Sequence, residues 1–507
     1  MKIKNTIAIS LLLIFIPTLL MAEEEYSMDF NSALKQMLET NSLLKSVRYE
    51  REKANYDRKA AMGLYFPKID INFSYTHINE PITMDFNPLR DAMINLSAEA
   101  YAKGVVTANS SMTPYYNNLK NGFIQNADSN PALARSNFIE TIQEQNFWSV
   151  SATVKQPLFT GGKIIAANKA AEAVYVASSE KERYTQYALT TELASRYYAL
   201  RLAIKIVEVR KQVLDGMAEH LNQAKKLEEN GMIASAERLH AEVAYSEALR
   251  EYKKALKDKD TAMAALRNTL SSEKDILPVS ELFLVTDIHE MSYYKKKASE
   301  LNPVLAQLRA NQTIAHQAYM KELARYSPDI FAFGSKNLVY KNLSETTPEW
   351  YVGVGATFTL FDGMSRYNNL QAAGNLEKKV DEAIAQANKD IDTLVEKSYN
   401  ELLKDMEQIE ALEKAIEFAR EYLRVREASF ASGFGTSIDV VDARLNLSKV
   451  EIERLHAMYE FDISLARLLE VSGLSDEYIK YMYGAKTEKD ILTQIKIKET
   501  PLSLRKN

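Results

Sequence analysis

Cysteine is absent from all 507 residues. Its absence excludes disulfides, thiolate chemistry and an acylated N-terminal cysteine. Proline is scarce and unevenly placed: none lies between Pro157 and Pro278, nor between Pro348 and Pro501, so two long stretches lack the strongest helix breaker. Beyond the first residues no apolar run approaches the roughly 18 that a spanning helix needs. A large charge of one sign is also missing. The formal charge of −5 gives no support to nucleic-acid binding. The chain has no HExxH, GxSxG or P-loop, and Gly353-Val354-Gly355 lacks the third glycine of a nucleotide fingerprint. The six histidines (His77, His220, His240, His289, His316, His456) show no ligand spacing and read as surface residues. No enzymatic activity, cofactor, metal or nucleic-acid partner is expected.

What is present begins with Lys2 and Lys4, the apolar run Ile7 to Leu20, and Met21-Ala22 before Glu23-Glu24-Glu25. This is the pattern of a secretory signal peptide over residues 1–22, and its run is short for the alternative, a membrane anchor. Without Lys2 and Lys4 the formal charge falls from −5 to −7.

The remainder is written twice. Leu158-Phe159-Thr160-Gly161 returns 202 residues later as Leu360-Phe361-Asp362-Gly363, and Trp148 returns as Trp350. Leu189, Leu193, Tyr197, Leu200, Ile204 and Leu214 return as Ile391, Val395, Tyr399, Leu402, Met406 and Ile416. A second register, 261 residues apart, pairs Asn41 with Asn302 and Pro67 with Pro328. The difference, 261 less 202, places a 59-residue insertion in the first half, within about residues 78–147. Fixed spacing of this kind marks a duplicated domain.

The paired apolar positions advance by four and three, the average of 3.5 that marks a coiled-coil seam. They predict a helix from about Lys163 to Asn230, interrupted only by Gly216 and about 100 Å long, with a mate from Met364 to Ala431. Shorter helices are predicted over 31–64 and 235–270, and again over 292–325 and 437–469. In each half the two short helices together nearly equal the long one. A free coiled-coil rod is the other reading of the heptads.

Four segments alternate with period two: Ile69 to Tyr75, Trp148 to Val154, Asp329 to Tyr340 and Trp350 to Phe358. They fit membrane β-strands, apolar toward lipid and polar toward a lumen, or half-buried strands of a soluble domain. Trp148 and Trp350, opening strands at equivalent positions, favour the membrane reading and a place at its interface with outer-membrane lipid. Four strands cannot close a barrel, and open edges are not tolerated in lipid. Strands must then be pooled among copies. Three copies give twelve; two or four remain open.

Together these features resemble the TolC family of outer-membrane efflux proteins over essentially the whole mature sequence. The two tips carry much of the likeness: Asn230-Gly231-Met232-Ile233-Ala234-Ser235-Ala236-Glu237 and Ser432-Gly433-Phe434-Gly435-Thr436-Ser437-Ile438-Asp439. The resemblance implies a mostly α fold with a small β part: a long α-helical barrel, and a β-barrel completed by trimerisation with four strands per protomer. It implies a homotrimeric exit duct in the outer membrane, reaching into the periplasm and served by a periplasmic adaptor and an inner-membrane pump of RND or ABC type. The adaptor would meet the tips at Gly231, Met232, Ala234, Gly433, Phe434 and Thr436.

Gly231 and Gly433 suit left-handed helix ends, Ser235 and Thr436 or Ser437 suit caps, and Glu237 and Asp439 suit first-turn acids. By resemblance, Asp439 and Asp442 occupy positions that form acidic rings at the periplasmic mouth, where carboxylates from three chains favour cations and repel one another. The positions that latch relatives shut correspond here to Phe430, Glu237, Gly435 and Ala236. Phenylalanine has no hydroxyl and glycine no side chain, so those latches are not available in that form. The mouth is expected to be held by other contacts or to open more readily.

The expected layout is a first repeat over 23–271, a linker over 272–291, a second repeat over 292–472 and an equatorial tail over 473–507. The insertion, with one helix-like patch at Leu89, Ala92, Met93, Leu96 and Ala100, is expected outside the cell as a mobile loop or as a cover for the exit. A coiled-coil structural or adhesive outer-membrane protein is the alternative function.

Overall fold

A computed structural model describes residues 26–487; the expected signal peptide and the end of the tail lie outside the described residues. The elements run β1 (Tyr26–Met28), α1 (Phe30–Thr40), α2 (Ser42–Met62), β2 (Lys68–His77), β3 (Ile82–Asp85), α3 (Asn87–Ala108), α4 (Tyr116–Asp128), β4 (Ile139–Gln143), β5 (Asn146–Phe159), α5 (Lys163–Glu229) and α6 (Ser235–Leu270). Then come β6 (Ile276–Pro278), β7 (Phe283–Leu284), α7 (Met291–Leu301), α8 (Pro303–Ala324), β8 (Asp329–Lys341), β9 (Trp350–Thr357), α9 (Ser365–Ala431), α10 (Ser437–Val471), α11 (Tyr478–Gly484) and β10 (Lys486–Thr487). They form two compact units. Of the described residues, one unit takes in 26–57, Ala171–Ala315 and 375–487; the other comprises Arg58–Ala170 and His316–Gly374.

The helical unit carries the duplication in its lengths. Helices α5 and α9 each have 67 residues, α6 and α10 have 36 and 35, and the front helices have 11 and 21 in one copy and 11 and 22 in the other. The heptad seam is the buried one: Leu193, Tyr197, Leu200, Val395, Leu402 and Ile409 are inaccessible. The core thickens around an aromatic cluster in which Phe30 meets Tyr197 edge-on at 5.5 Å and stacks on Tyr198 at 5.6 Å. Linker and tail close over it. Strand β1 pairs with β6 and β7 with β10, while the Tyr197 hydroxyl donates to the Met28 carbonyl at 2.7 Å and accepts from the Ser280 N–H.

Each front helix is two helices, where the sequence pattern suggested one. Asn41 takes φ −59°, ψ 122°, closes α1 on the Met37 carbonyl, and accepts the Leu44 N–H on its side-chain oxygen at 3.0 Å. Asn302, its mate, takes φ −61°, ψ 124° and accepts from Val304 and Leu305 at 2.8 and 3.2 Å. One asparagine thus ends a helix and caps the next. Gly216, by contrast, does not break α5. Helix α5 runs through it, and Arg444 occupies the space of the missing side chain, where a Cβ would overlap the guanidinium.

The other unit holds an antiparallel sheet in the order β2-β5-β8-β9. All four alternating segments are strands of it. The β2–β5 ladder is unbroken from Lys68↔Lys155 to His77↔Asn146, and β5–β8 carries two irregularities. One face presents Ile69, Ile71, Phe73, Val154, Val352 and Val354, all exposed, with Val352 75% accessible. The other presents Asn72, Ser74, Ser149, Thr153 and Ser335, hydrogen-bonded across strands in the pairs Asn72–Thr153 and Ser74–Ser149. On that polar face the rings of Phe331 and Phe333 cover the edge glycines Gly355 and Gly353. Among the described residues, strands β2 and β9 have no partner on their outer sides.

The insertion is folded, where a loop was the simplest expectation. It contains the antiparallel strand pair β3–β4 and, between those strands, the antiparallel helices α3 and α4, with Ala98 and Ala102 buried and Tyr101 packed on Phe123 at 5.5 Å. Arg90, its side chain 3% exposed, binds the Leu133 carbonyl at 2.6 Å and the Asp128 carboxylate at 2.8 Å.

Candidate functional site

Both helix–turn–helix tips are built alike, atom for atom, 202 residues apart. The Met232 N–H reaches the Leu227 carbonyl and the Gly231 N–H that of Glu228, both at 2.8 Å; Phe434 reaches Ser429 at 3.0 Å and Gly433 reaches Phe430 at 2.9 Å. This is the six-to-one, five-to-two closure that needs a left-handed residue, and Gly231 and Gly433 supply φ of 72° and 77°. The closure lifts Met232 and Phe434 to the apex, 58% and 92% exposed.

The returning helices start differently. Helix α10 has a full capping box: the Thr436 hydroxyl accepts the Asp439 N–H at 3.3 Å, and the Asp439 carboxylate accepts from the Thr436 N–H and hydroxyl. Those hydrogen bonds from Thr436 hold the Asp439 carboxyl below its usual range, with Arg426 at 4.0 Å adding to the effect. Helix α6 starts at Ala234 with no side-chain cap; Ser235 is already its first helical residue. Glu237 reaches across instead and accepts the Ser437 N–H at 2.8 Å, satisfying an orphan donor of the other copy's helix. Asp442 is exposed, one turn further along α10.

Phe430 is 1% exposed, packed among Ala224, Ala241 and Val440. The ring packed against it, tilted by 55° with centroids 4.6 Å apart, is His220. His220 is buried, correcting the expectation that all six histidines lie on the surface; the other five do. Its Nε2 lies 2.7 Å from the Ser437 hydroxyl. Burial pulls the imidazole below its usual value, Arg444 reinforcing this and Glu237 opposing it. A cavity of about 270 Å³ adjoins the ring, lined by Glu219, His220, Gln223, Glu427 and Arg444, and Arg444 is ion-paired with Glu427. The histidine had one readable signal: it falls three after Met217 and four before Ala224, on the buried stripe. Gly435 is confined, since a Cβ there would stand 3.0 Å from the Phe430 nitrogen.

The fold therefore brings together Glu237, Phe430, His220 and the start of α10, and leaves Asp442 and the apex residues facing outward. Within one chain, no group of three or more carboxylates and histidines converges among the described residues. In the sheet, Trp148 stands opposite Tyr75 and Lys341, and Trp350 opposite Lys336, all by ladder register.

The sequence matches the family model described as Outer membrane efflux protein over residues 124–272 and 295–474. It is 22% identical over 368 residues to the alkaline protease secretion protein AprF of Pseudomonas aeruginosa, covering 69% of this chain and 74% of that protein. It is 22% identical over 420 residues to the outer membrane protein TolC of Vibrio cholerae, covering 79% and 89%. The Campylobacter jejuni CmeC outer membrane channel superposes with a TM-score of 0.65 at 13% identity, covering 94% of this chain and 90% of that one. The open state of the Neisseria gonorrhoeae MtrE outer membrane channel gives 0.66 at 16%, covering 88% and 89%. At these identities the structural likeness is one of fold.

Proposed function

The chain belongs to the outer membrane efflux protein family, and on that premise we propose that it works as a trimeric exit duct with a gate at its periplasmic tips. It is an outer-membrane channel component of an efflux or secretion system, and it extends into the periplasm. Its family is one of channels rather than enzymes.

One observation carries the trimer: the four-stranded sheet is apolar on one face, polar on the other and unpartnered along β2 and β9. Joining β9 of one copy to β2 of the next removes every edge, and three copies of four strands make a twelve-stranded barrel with a polar lumen. Trp148 and Trp350 then sit in the interfacial aromatic girdle. The apex residues Gly231, Met232, Ala234, Gly433, Phe434 and Thr436 offer a surface for a periplasmic adaptor, which couples the duct to an inner-membrane RND or ABC pump.

At the mouth, Asp439 and Asp442 from three copies form the acidic lining. The two differ in their surroundings: Asp439 has Arg426 at 4.0 Å to offset part of its charge, while Asp442 is exposed one turn on, so Asp442 adds more to the field in the pore. The latch positions Phe430 and Glu237 act within the protomer, through His220 and Ser437.

Purified protein in planar bilayers tests this reading. A trimeric particle with discrete, cation-preferring conductance is expected, and Asp442→Ala should weaken the preference more than Asp439→Ala. A monomeric particle, or membranes without channel events, would sink it.

A further inference from the structure

Helix α3 is apolar on two opposite sides, and only one side is covered. Ala98 and Ala102 face α4 and are buried. On the far side Leu89, Met93 and Leu96 are 60%, 62% and 72% exposed, followed by exposed Ala100. A helix apolar all round belongs in an interior, so this second stripe lacks its cover. The positions advance by four, three and four, the spacing of a coiled-coil seam. At 100° per residue the stripe is narrow, with Ser97 and Glu99 on its flanks and Lys103, ion-paired to Glu99, at its end. A helix lying on lipid presents a broad apolar arc edged with basic residues. A narrow, uncharged seam suits a like helix instead, because no equal charges meet across a symmetric contact.

We propose that the exposed stripe of α3 is a seam for the α3 helices of neighbouring copies, so that three insertions close over the barrel exit as one cap. The inference rests on the trimer proposed above, and the position of α3 supports it independently of the stripe. Strand β2 is a free edge that a neighbouring copy must pair, and only nine residues separate its end at His77 from the start of α3. The cap is tied to the sheet rather than tethered loosely. Buried Gln143, closing β4, donates to the Asn342 carbonyl at 2.7 Å and accepts the Ser344 N–H at 3.0 Å, fixing the insertion to the β8–β9 turn.

The natural lack of cysteine makes the test direct. Leu89→Cys, Met93→Cys and Leu96→Cys are made singly in the full chain, with Asn117→Cys on α4 as control, and outer membranes are treated with a short bis-maleimide. Covalent dimers are expected from the seam positions and not from Asn117→Cys. The mass of the detergent-extracted particle is measured on the same samples. A trimeric mass without dimers at any seam position overturns the cap and leaves the trimer standing, whereas a monomeric mass overturns the trimer itself. Slow labelling of the seam thiols by a water-soluble maleimide that speeds up in detergent, without dimers, assigns the stripe to lipid and likewise overturns the cap. Lipid-independent fast labelling without dimers means that the stripe is bare, and does the same.

Discussion

Two buried titratable side chains at opposite signs of shift define how single residues tie this fold to pH. Asp462 lies wholly inside the aromatic core, where neither carboxylate oxygen meets hydrogen-bond geometry and the Phe283 backbone offers only weak opposition; burial pushes the carboxyl well above its usual range. A folded value above the unfolded one means its stabilising contribution is complete below about pH 4 and fades as pH rises. Asp462→Asn should therefore gain stability relative to the wild type as the pH rises above about 4. Parallel melting curves for the two proteins across that range would refute the assignment. His220 runs the other way. Its folded value lies below the ordinary 6.5, so its contribution is present above that pH and is lost as pH falls. The charge it would acquire faces Arg444, an unfavourable neighbour, with Glu237, Glu219 and Glu427 the acids at hand. Channel open probability should rise on acidification toward pH 5, and His220→Gln should flatten that response while keeping a hydrogen bond to Ser437. An unchanged pH profile in the variant would place the acid response elsewhere. Asp462 was not legible in the sequence, because one aspartate on a helix carries no spacing signal of its own, and His220 showed only its place on the apolar stripe between Met217 and Ala224.

At the scale of the element, turns and caps decide where the long helices stop. Gly231 and Gly433 hold left-handed positions, so each Gly→Ala substitution should cost about 1–2 kcal/mol locally. Faster amide exchange confined to the altered tip checks this, and an equal loss of protection spreading down α5 or α9 would contradict it. Thr436→Ala removes the capping box of α10 and should cost about 1 kcal/mol, whereas Ser235→Ala should cost little, since Ser235 is the first helical residue of α6 and not its cap. The long helices were readable because 67 residues repeat one buried seam without a proline. The break at Asn302 was signalled by Pro303 after it, but that at Asn41 was not: it falls within an otherwise continuous helical pattern, and the dual role of each asparagine depends on backbone angles that no periodicity reports. Helix α3 was read only in part, as the helix-like patch from Leu89 to Ala100: apolar on both sides, it shows no single face to mark its extent.

For the whole molecule, the duplication was plain in the sequence and returns as matched lengths, matched tips and matched strand pairs, while the two copies diverge at the insertion and at the caps. The strands could be read because lipid-facing and lumen-facing positions must alternate. Their pairing order could not, since register depends on partners far apart in the chain. Replacing residues 79–144 with a two-residue turn should leave β2 and β5 paired, because their ladder already closes at His77↔Asn146. The shortened channel should remain a trimer with higher conductance; unchanged conductance would mean that the insertion leaves the exit clear. The two bare edges of the sheet have a further consequence, in genetics rather than geometry. A barrel that needs every seam cannot average over its members. A proline at Tyr351 or Val352, adjacent residues of β9 whose amides point to opposite sides, blocks the outer edge in one of the two cases. Produced beside the normal chain in equal amount, such a subunit would leave only about one ring in eight intact, so one faulty allele would poison the product of the good one.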